Sequence, residues 1–192
     1  VSVAWIRPRS LGEALSARRA HPDHLVLAGG TDLMVGALLR PTPAGVIDLF
    51  GLEELSGVVH LPDGRIRIGA ATTYARLLDD AGLAAELPLL TAAVREIGAI
   101  QIQSRGTLGG NVMTASPVGD SLPVLLALDA EVELASVAAS RTLPYETFCT
   151  GYRQTALGAD ELLVAMTIPP RPPGLRQWWR KVGTRRAQAI SK

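Results

Sequence analysis

Residues Arg105–Asp120 read R-G-T-L-G-G-N-V-M-T-A-S-P-V-G-D. The stretch holds four glycines, Gly106, Gly109, Gly110 and Gly119, beside the small polar residues Thr107, Asn111, Thr114 and Ser116. Glycine loses much backbone entropy in a helix and offers no side chain to bury, so the run is not expected to form a packed helix face. It is expected to let the backbone come close to a ligand and point N–H groups at it, as a phosphate or an extended polar cofactor requires. A shorter stretch of the same kind, Ala28-Gly29-Gly30-Thr31-Asp32, lies upstream. Two such loops in one small chain point to a long ligand with a charged middle.

The bulk numbers narrow the field. At 192 residues the chain is one large domain or two small lobes, long enough for a substantial core. With 47% apolar residues and a mean hydropathy of +0.22 it is globular. A net charge of +1 gives no broad electrostatic footprint for nucleic acid. No apolar run reaches transmembrane length, and no signal peptide is visible after Val1. Cys149 is the single cysteine, which excludes an internal disulfide or an iron–sulfur cluster held by this chain alone. A reducing, cytoplasmic setting is the expectation.

Working outward from the glycine stretches, the spacing predicts a strand over Val3–Ile6 and a helix capped by Ser10 and running to Arg19. Leu25–Ala28 reads as a buried strand, Gly29-Gly30 as a turn, Leu33–Arg40 as a helix capped by Thr31 or Asp32, and Val46–Leu49 as the next strand. This strand–turn–helix–strand unit would aim the N–H groups of a helix end at an anion, although a plain tight turn explains it equally well. It gives neither G-x-G-x-x-G nor a Walker loop. Arg65–Ile68 alternates as a half-exposed strand whose arginines form a solvated face. Thr72 or Thr73 caps a helix through Leu78, and Leu87–Ile97 carries Leu89, Leu90, Ala93, Val94 and Ile97 at helical spacing. Asp120, just ahead of Pro123, is either a helix N-cap or a carboxylate for ligand hydroxyls. Strands follow at Glu131–Ser136 and Glu161–Ile168, with polar, irregular chain over Arg141–Ala156 between them. Pro169, Pro170, Pro172 and Pro173 make a stiff break.

Side-chain chemistry is sparse. His21, His24 and His60 lie in expected loops without carboxylate or thiol clusters, so no metal site is expected. There is no G-x-S-x-G elbow, and no motif flanks Cys149. Trp178-Trp179-Arg180-Lys181 reads as core or interface aromatics with a charged edge rather than a nucleic-acid stacking patch. With no catalytic acid or base in view, the residues favour a protein that positions a cofactor which does the chemistry.

At this point the motifs resemble a known family. A-G-G-T-D-L at Ala28–Leu33, followed by I-D-L at Ile47–Leu49, resembles the first flavin motif of the FAD-binding medium subunits of molybdenum hydroxylases, of the carbon monoxide dehydrogenase, xanthine dehydrogenase and aldehyde oxidoreductase type. R-G-T-L-G-G-N at Arg105–Asn111, with A-S-P-V-G-D at Ala115–Asp120, resembles the second. W-R-K-V-G-T-R-R-A-Q-A-I-S-K, Trp179–Lys192, is similar to the family's segment after the proline break, which usually begins with tyrosine. The likeness is collinear along the chain.

The resemblance implies an α+β fold of the PCMH (vanillyl-alcohol-oxidase-like) type, with two α/β lobes holding FAD and a truncated C-terminal α/β domain. Residues 1–56 and 57–172 would be the two lobes, and 173–192 the start of the truncated domain. Leu27, Ala28, Gly29, Gly30, Thr31, Asp32 and Leu33 would cradle the pyrophosphate. Thr107, Leu108, Gly109, Gly110 and Asn111 would approach it and the flavin through backbone groups, with Ser116 in the same site. Asp120 would bind ribityl or ribose hydroxyls, and Ile97, Leu163 and Lys181 fall at further FAD-touching positions. The implied partners are a molybdopterin-binding large subunit and a [2Fe-2S] small subunit, as a dimer of heterotrimers, with NAD, a quinone or oxygen as acceptor. A standalone FAD oxidoreductase and a scaffold that has lost its flavin are the other readings.

Overall fold

The computed structural model describes residues 3–35, 37, 41–185 and 189–191. The first sheet is built from β1 (Ala4–Ile6), β2 (Leu25–Leu27) and β3 (Gly45–Asp48), parallel, in the order β1-β3-β2. Helix α1 (Leu11–Ala20) crosses between β1 and β2. Ser10 caps it as expected, its hydroxyl accepting from the Glu13 N–H at 3.1 Å. The middle strand β3 is the buried one. Leu25–Ala28, expected to be buried, is instead a half-exposed edge strand with Leu25 37% exposed. A three-residue apolar run reads the same at an edge as at a centre.

The expected helix over Leu33–Arg40 is not what Thr31–Val35 form. They turn, with Met34 N–H on the Gly30 carbonyl at 2.9 Å and Val35 N–H on that of Asp32 at 3.1 Å. Gly36 and residues 38–40 of that reading lie outside the described residues.

A five-stranded antiparallel sheet follows, made of β4 (Val58–His60), β5 (Ile66–Gly69), β6 (Glu131–Ala135), β7 (Ser140–Pro144) and β10 (Leu162–Ile168) in the order β4-β5-β10-β6-β7. A two-stranded ribbon, β8 (Cys149–Gly151) with β9 (Gln154–Thr155), and the short helix α8 (Tyr145–Phe148) occupy the region read as irregular. That misreading has a local cause. Strand β7 is S-R-T-L-P at the sheet edge, exposed almost throughout, so burial imposes no apolar alternation on it.

Strand β10 is apolar without alternation because both its faces are covered. Leu163, Met166 and Ile168 join the larger core, while Leu162 and Val164 join a second core with Leu15, Ile47, Leu49 and Leu55. A register shift between Leu163 and Ala165 changes which parity points to which core. The arginines expected on a solvated face are half-exposed and paired: Arg67 Nε donates to Glu133 Oε2 at 2.8 Å.

Helices α2 (Tyr74–Asp79), α3 (Leu83–Glu86), α4 (Pro88–Arg95), α6 (Leu108–Thr114) and α7 (Leu122–Ala127) contribute to the larger core on one face of this sheet, and the short α5 (Ile100–Gln103) buries no residue. Thr73 caps α2, while the neighbouring Thr72 is fully buried and its hydroxyl accepts from the Gly57 N–H at 2.8 Å. Helix α4 is shorter than the expected Leu87–Ile97, since Pro88 opens it and Glu96 caps its end, but it buries the expected Leu89, Leu90, Ala93 and Val94.

Candidate cofactor site

The glycine-rich stretch is a helix after all. Thr107 caps α6, its hydroxyl accepting from the Gly110 N–H at 3.1 Å. The Leu108 N–H donates to the Thr72 carbonyl at 3.0 Å and the Gly109 N–H to the Ala70 carbonyl at 2.9 Å. Leu108, Gly109 and Val112 form its buried face. A Cβ on Gly109 would stand 2.5 Å from the Ala70 oxygen and 2.6 Å from the Ala70 Cβ. The expectation that this run could not be a packed helix face is therefore wrong. Absence of a side chain lets the helix seat directly on the end of β5, and close packing offsets the roughly 1 kcal/mol propensity cost of a glycine. With the Asn111 N–H on the Thr107 carbonyl at 3.1 Å, four N–H groups expected to face a ligand are committed inside the protein. What α6 and its continuation offer a ligand is the half-buried Gly110 and the side chains of Asn111 and Ser116.

The first glycine motif behaves differently. It leaves the carboxyl end of β2, and Gly30 takes φ of +77°. Among the described residues, none accepts a hydrogen bond from the backbone N–H of Gly29, Gly30, Thr31, Asp32 or Leu33. Five successive N–H groups without an acceptor among the described residues, around a left-handed glycine, are suited to an anion. Gly29 packs on the second motif, where its Cβ would fall 1.9 Å from the Arg105 oxygen, and a Cβ on Gly106 would meet Thr31 Oγ1 at 3.3 Å. The Arg105 guanidinium lies 3.7 Å from the centre of the Phe50 ring. An open cavity of about 660 Å³, lined by Arg7, Arg9, Asp48 and Phe50 among others, adjoins that stack at the carboxyl ends of β1 and β3.

Asp120 does not cap α7; Ser121 holds that position and makes no capping bond. The Asp120 carboxylate is held by the C-terminal segment. Lys181 Nζ donates to Oδ2 at 2.6 Å, and Ser191 Oγ donates to Oδ1. Lys181 also donates to the Glu96 carbonyl at 3.1 Å, where a cation suits the carboxyl end of α4. Asp120 and Lys181, far apart in the sequence, are thus drawn together, at the end of the helix that precedes Ile97. Ile97 and Leu163 themselves are packed in the larger core, 8% and 6% exposed, and the Ile97 carbonyl accepts from Gln103 Nε2 at 3.1 Å.

Tyr74 is the first residue of α2. It is 3% exposed, with its ring edge against Gly106. Its hydroxyl lies beside the Ser121 hydroxyl but makes no well-aligned hydrogen bond among the described residues. Burial, reinforced by the Asp120 charge, pushes that hydroxyl well above its ordinary pKa, so it is a neutral donor. The adjacent Ser121 hydroxyl is given to Asn111 Oδ1 at 2.6 Å. Tyr74, Ser121 and Ser191 carried no local signal, since only the fold brings them to Asp120 and Asn111. Trp179 packs on the larger core and Trp178 is 76% exposed.

Backbone N–H groups without acceptors among the described residues, small residues at close approach, and the polar side chains of Asn111, Ser116 and Asp120 together fit an extended phosphate-bearing cofactor such as FAD.

Residues 1–171 match the family described as the FAD binding domain in molybdopterin dehydrogenase. The chain is 35% identical over 170 residues to the xanthine dehydrogenase FAD-binding subunit of Escherichia coli O157:H7, covering 88% of this chain and 58% of that protein. It is 34% identical over 174 residues to the nicotine 6-hydroxylase medium subunit of Paenarthrobacter nicotinovorans, covering 90% and 61%. The chain thus spans about three-fifths of the length of these relatives. Among solved structures, carbon monoxide dehydrogenase from Hydrogenophaga pseudoflava superposes with a TM-score of 0.93 at 28% identity, covering 100% of this chain and 67% of that one. The mixed α/β fold, the two glycine motifs and the match along residues 1–171 make this chain a member of the FAD-binding-domain family of the molybdopterin dehydrogenases.

Proposed function

We propose that this chain is the FAD-carrying electron-transfer unit of a molybdenum hydroxylase. The observation that carries the reading is the meeting of the two glycine motifs at Gly29 and Arg105, beside five N–H groups that have no acceptor among the described residues, at the end of β2. In this reading the fold is of the PCMH type. Residues 1–56 and 57–172 are the lobes that hold the cofactor, and 173–192 open a further domain. Residues 27–33 bind the pyrophosphate, where Gly29 to Leu33 supply N–H donors. Gly110, Asn111 and Ser116 lie along the flavin, Asp120 accepts from its polyol hydroxyls, and Lys181 sets the charge beside it. Thr107, Leu108 and Gly109 act through packing, and Ile97 and Leu163 shape the wall from within the core.

Bound there, FAD would supply a centre that exchanges electrons singly or in pairs. The chain's own part is to hold and orient that cofactor. A [2Fe-2S] small subunit delivers electrons that a molybdopterin-binding large subunit takes from substrate, and NAD or a quinone receives them. The complex is a dimer of heterotrimers in a cytoplasmic setting. No helix among the described residues is long and apolar enough to cross a membrane.

The test is a visible absorption spectrum of the purified chain before and after adding FAD. A protein-bound flavin spectrum near one FAD per chain supports the reading. A folded chain that takes up none overturns it.

A further inference from the structure

Ser121 stands where a serine usually caps a helix, at the start of α7, yet its hydroxyl makes no capping bond. The side chain is fully buried and reaches back instead to Asn111 on α6, where it donates to Oδ1. At 2.6 Å the contact has the length of an O–H donor on an oxygen, shorter than the about 2.9 Å usual for an N–H donor. A Cβ on Gly119 would stand 3.3 Å from the same Asn111 oxygen. The turn into α7 thus closes on the oxygen end of the amide from two residues. The Asn111 main chain is itself fixed in α6, its N–H on the Thr107 carbonyl at 3.1 Å. A planar amide held by its oxygen turns its nitrogen the other way. Among the described residues that nitrogen has no acceptor.

We propose that Ser121 is a positioning residue that locks the Asn111 amide with its nitrogen toward the ligand, so that the atom it meets is a hydrogen-bond acceptor: a carbonyl oxygen or an unprotonated nitrogen of a heteroaromatic ring. The inference rests on the FAD reading above and gives Asn111 a polarity which that reading leaves open. A free carboxamide presents its donor or its acceptor end by half a turn about its last bond. Here the half turn would set an N–H donor against Ser121 and take the acceptor away from the Ser121 proton. A lock of this kind spares the ligand the cost of choosing the orientation, which is pre-organisation. It also has an electronic consequence. A donor held against a ring acceptor favours the form with more negative charge on that atom, so it draws the reduction potential of a bound flavin upward.

The test uses the full chain with FAD, reading affinity from quenching of flavin fluorescence and the midpoint potential from equilibration with reference dyes. Asn111→Asp keeps an oxygen for the Ser121 hydroxyl but turns a second oxygen, and no donor, toward the ligand. It is expected to weaken FAD about tenfold or more. Ser121→Ala frees the amide to rotate. It is expected to weaken FAD about fivefold, the value of one hydrogen bond, and to lower the midpoint potential. Ser121→Thr keeps the hydroxyl and is expected to recover part of both. In an Asn111→Ala background, Ser121→Ala is expected to cost no further affinity, because the amide it orients is gone. A purely structural Ser121 would lower the melting temperature of Ser121→Ala and leave its affinity and potential as in the parent, which would overturn the inference. Asn111→Asp that binds FAD as the parent does, or losses that add in the double variant, would overturn it too, while the cofactor reading stands. A folded parent that takes up no FAD overturns the cofactor reading and this inference with it.

Discussion

Gly29 and Arg105 touch backbone to backbone: a Cβ on Gly29 would stand 1.9 Å from the Arg105 carbonyl oxygen. Main chain cannot yield as a side chain can, so Gly29→Ala is expected to destabilise the chain by about 1–3 kcal/mol, as overpacking does, and to reduce flavin uptake. Gly51→Ala is the control. Nothing lies within 4 Å of its Cβ, and only its φ of +83° opposes the change, at about 1–2 kcal/mol. Thermal melts and flavin content of both variants check the contrast; flavin should be lost only in the first.

Gly110 and Gly109 are neighbours with opposite duties. A Cβ on Gly110 meets only Thr107 Oγ1, at 2.8 Å, while one on Gly109 meets Ala70 main chain. Gly110→Val should abolish flavin binding while the fold survives, at a cost of about 1 kcal/mol through the displaced cap. Gly109→Ala should lower the melting temperature more. Circular dichroism and bound-flavin absorbance separate the two, and yellow protein from Gly110→Val would count against the site.

Tyr74→Phe removes a buried hydroxyl that lies beside Ser121 without a well-aligned hydrogen bond among the described residues. Leaving such a group unsatisfied costs about 1–3 kcal/mol. The variant is therefore expected to melt higher than the parent in the absence of FAD. A lower melting temperature would mean the hydroxyl is bonded.

Glu161 provides the pH dependence. Hydrogen bonds from Arg141, at 2.7 and 2.8 Å, hold its carboxyl below the ordinary glutamate value. The unfolded chain then binds that proton more readily than the folded one. The stabilisation is present above the unfolded value and is lost as pH falls through the folded value. Glu161→Gln should melt below the parent at neutral pH. The gap should close in acid, at and below about pH 4, where the free glutamate carboxyl protonates. Melts across that range test the sign; a gap that widens in acid would refute it.

Much of this was legible in the chain itself, and the failures have physical causes. Ser10, Thr73 and the apolar spacing of Leu89, Leu90, Ala93 and Val94 declare themselves locally, because caps and helical stripes are short-range chemistry. The glycine motifs announced close approach but not to what. Gly109 approaches Ala70, and Gly29 approaches Arg105, so part of the glycine signal describes protein against protein. Strand β7 hid because an exposed edge carries no period. The hold of Ser191 on Asp120 was invisible, since nothing in either residue's neighbourhood names the other.

Strand β10 lies in the middle of its sheet yet is the last of the five in the sequence. Before it is made, β4–β5 and β6–β7 are two separate hairpins, each with an open inner edge and half a hydrophobic face. An emerging chain must carry those edges, on β5 and β6, until Leu162–Ile168 leaves the ribosome and closes both ladders at once. Such late, long-range closure makes for slow folding and a window for edge-to-edge association. Chains interrupted just before Leu162 should be the species that aggregate and engage chaperones.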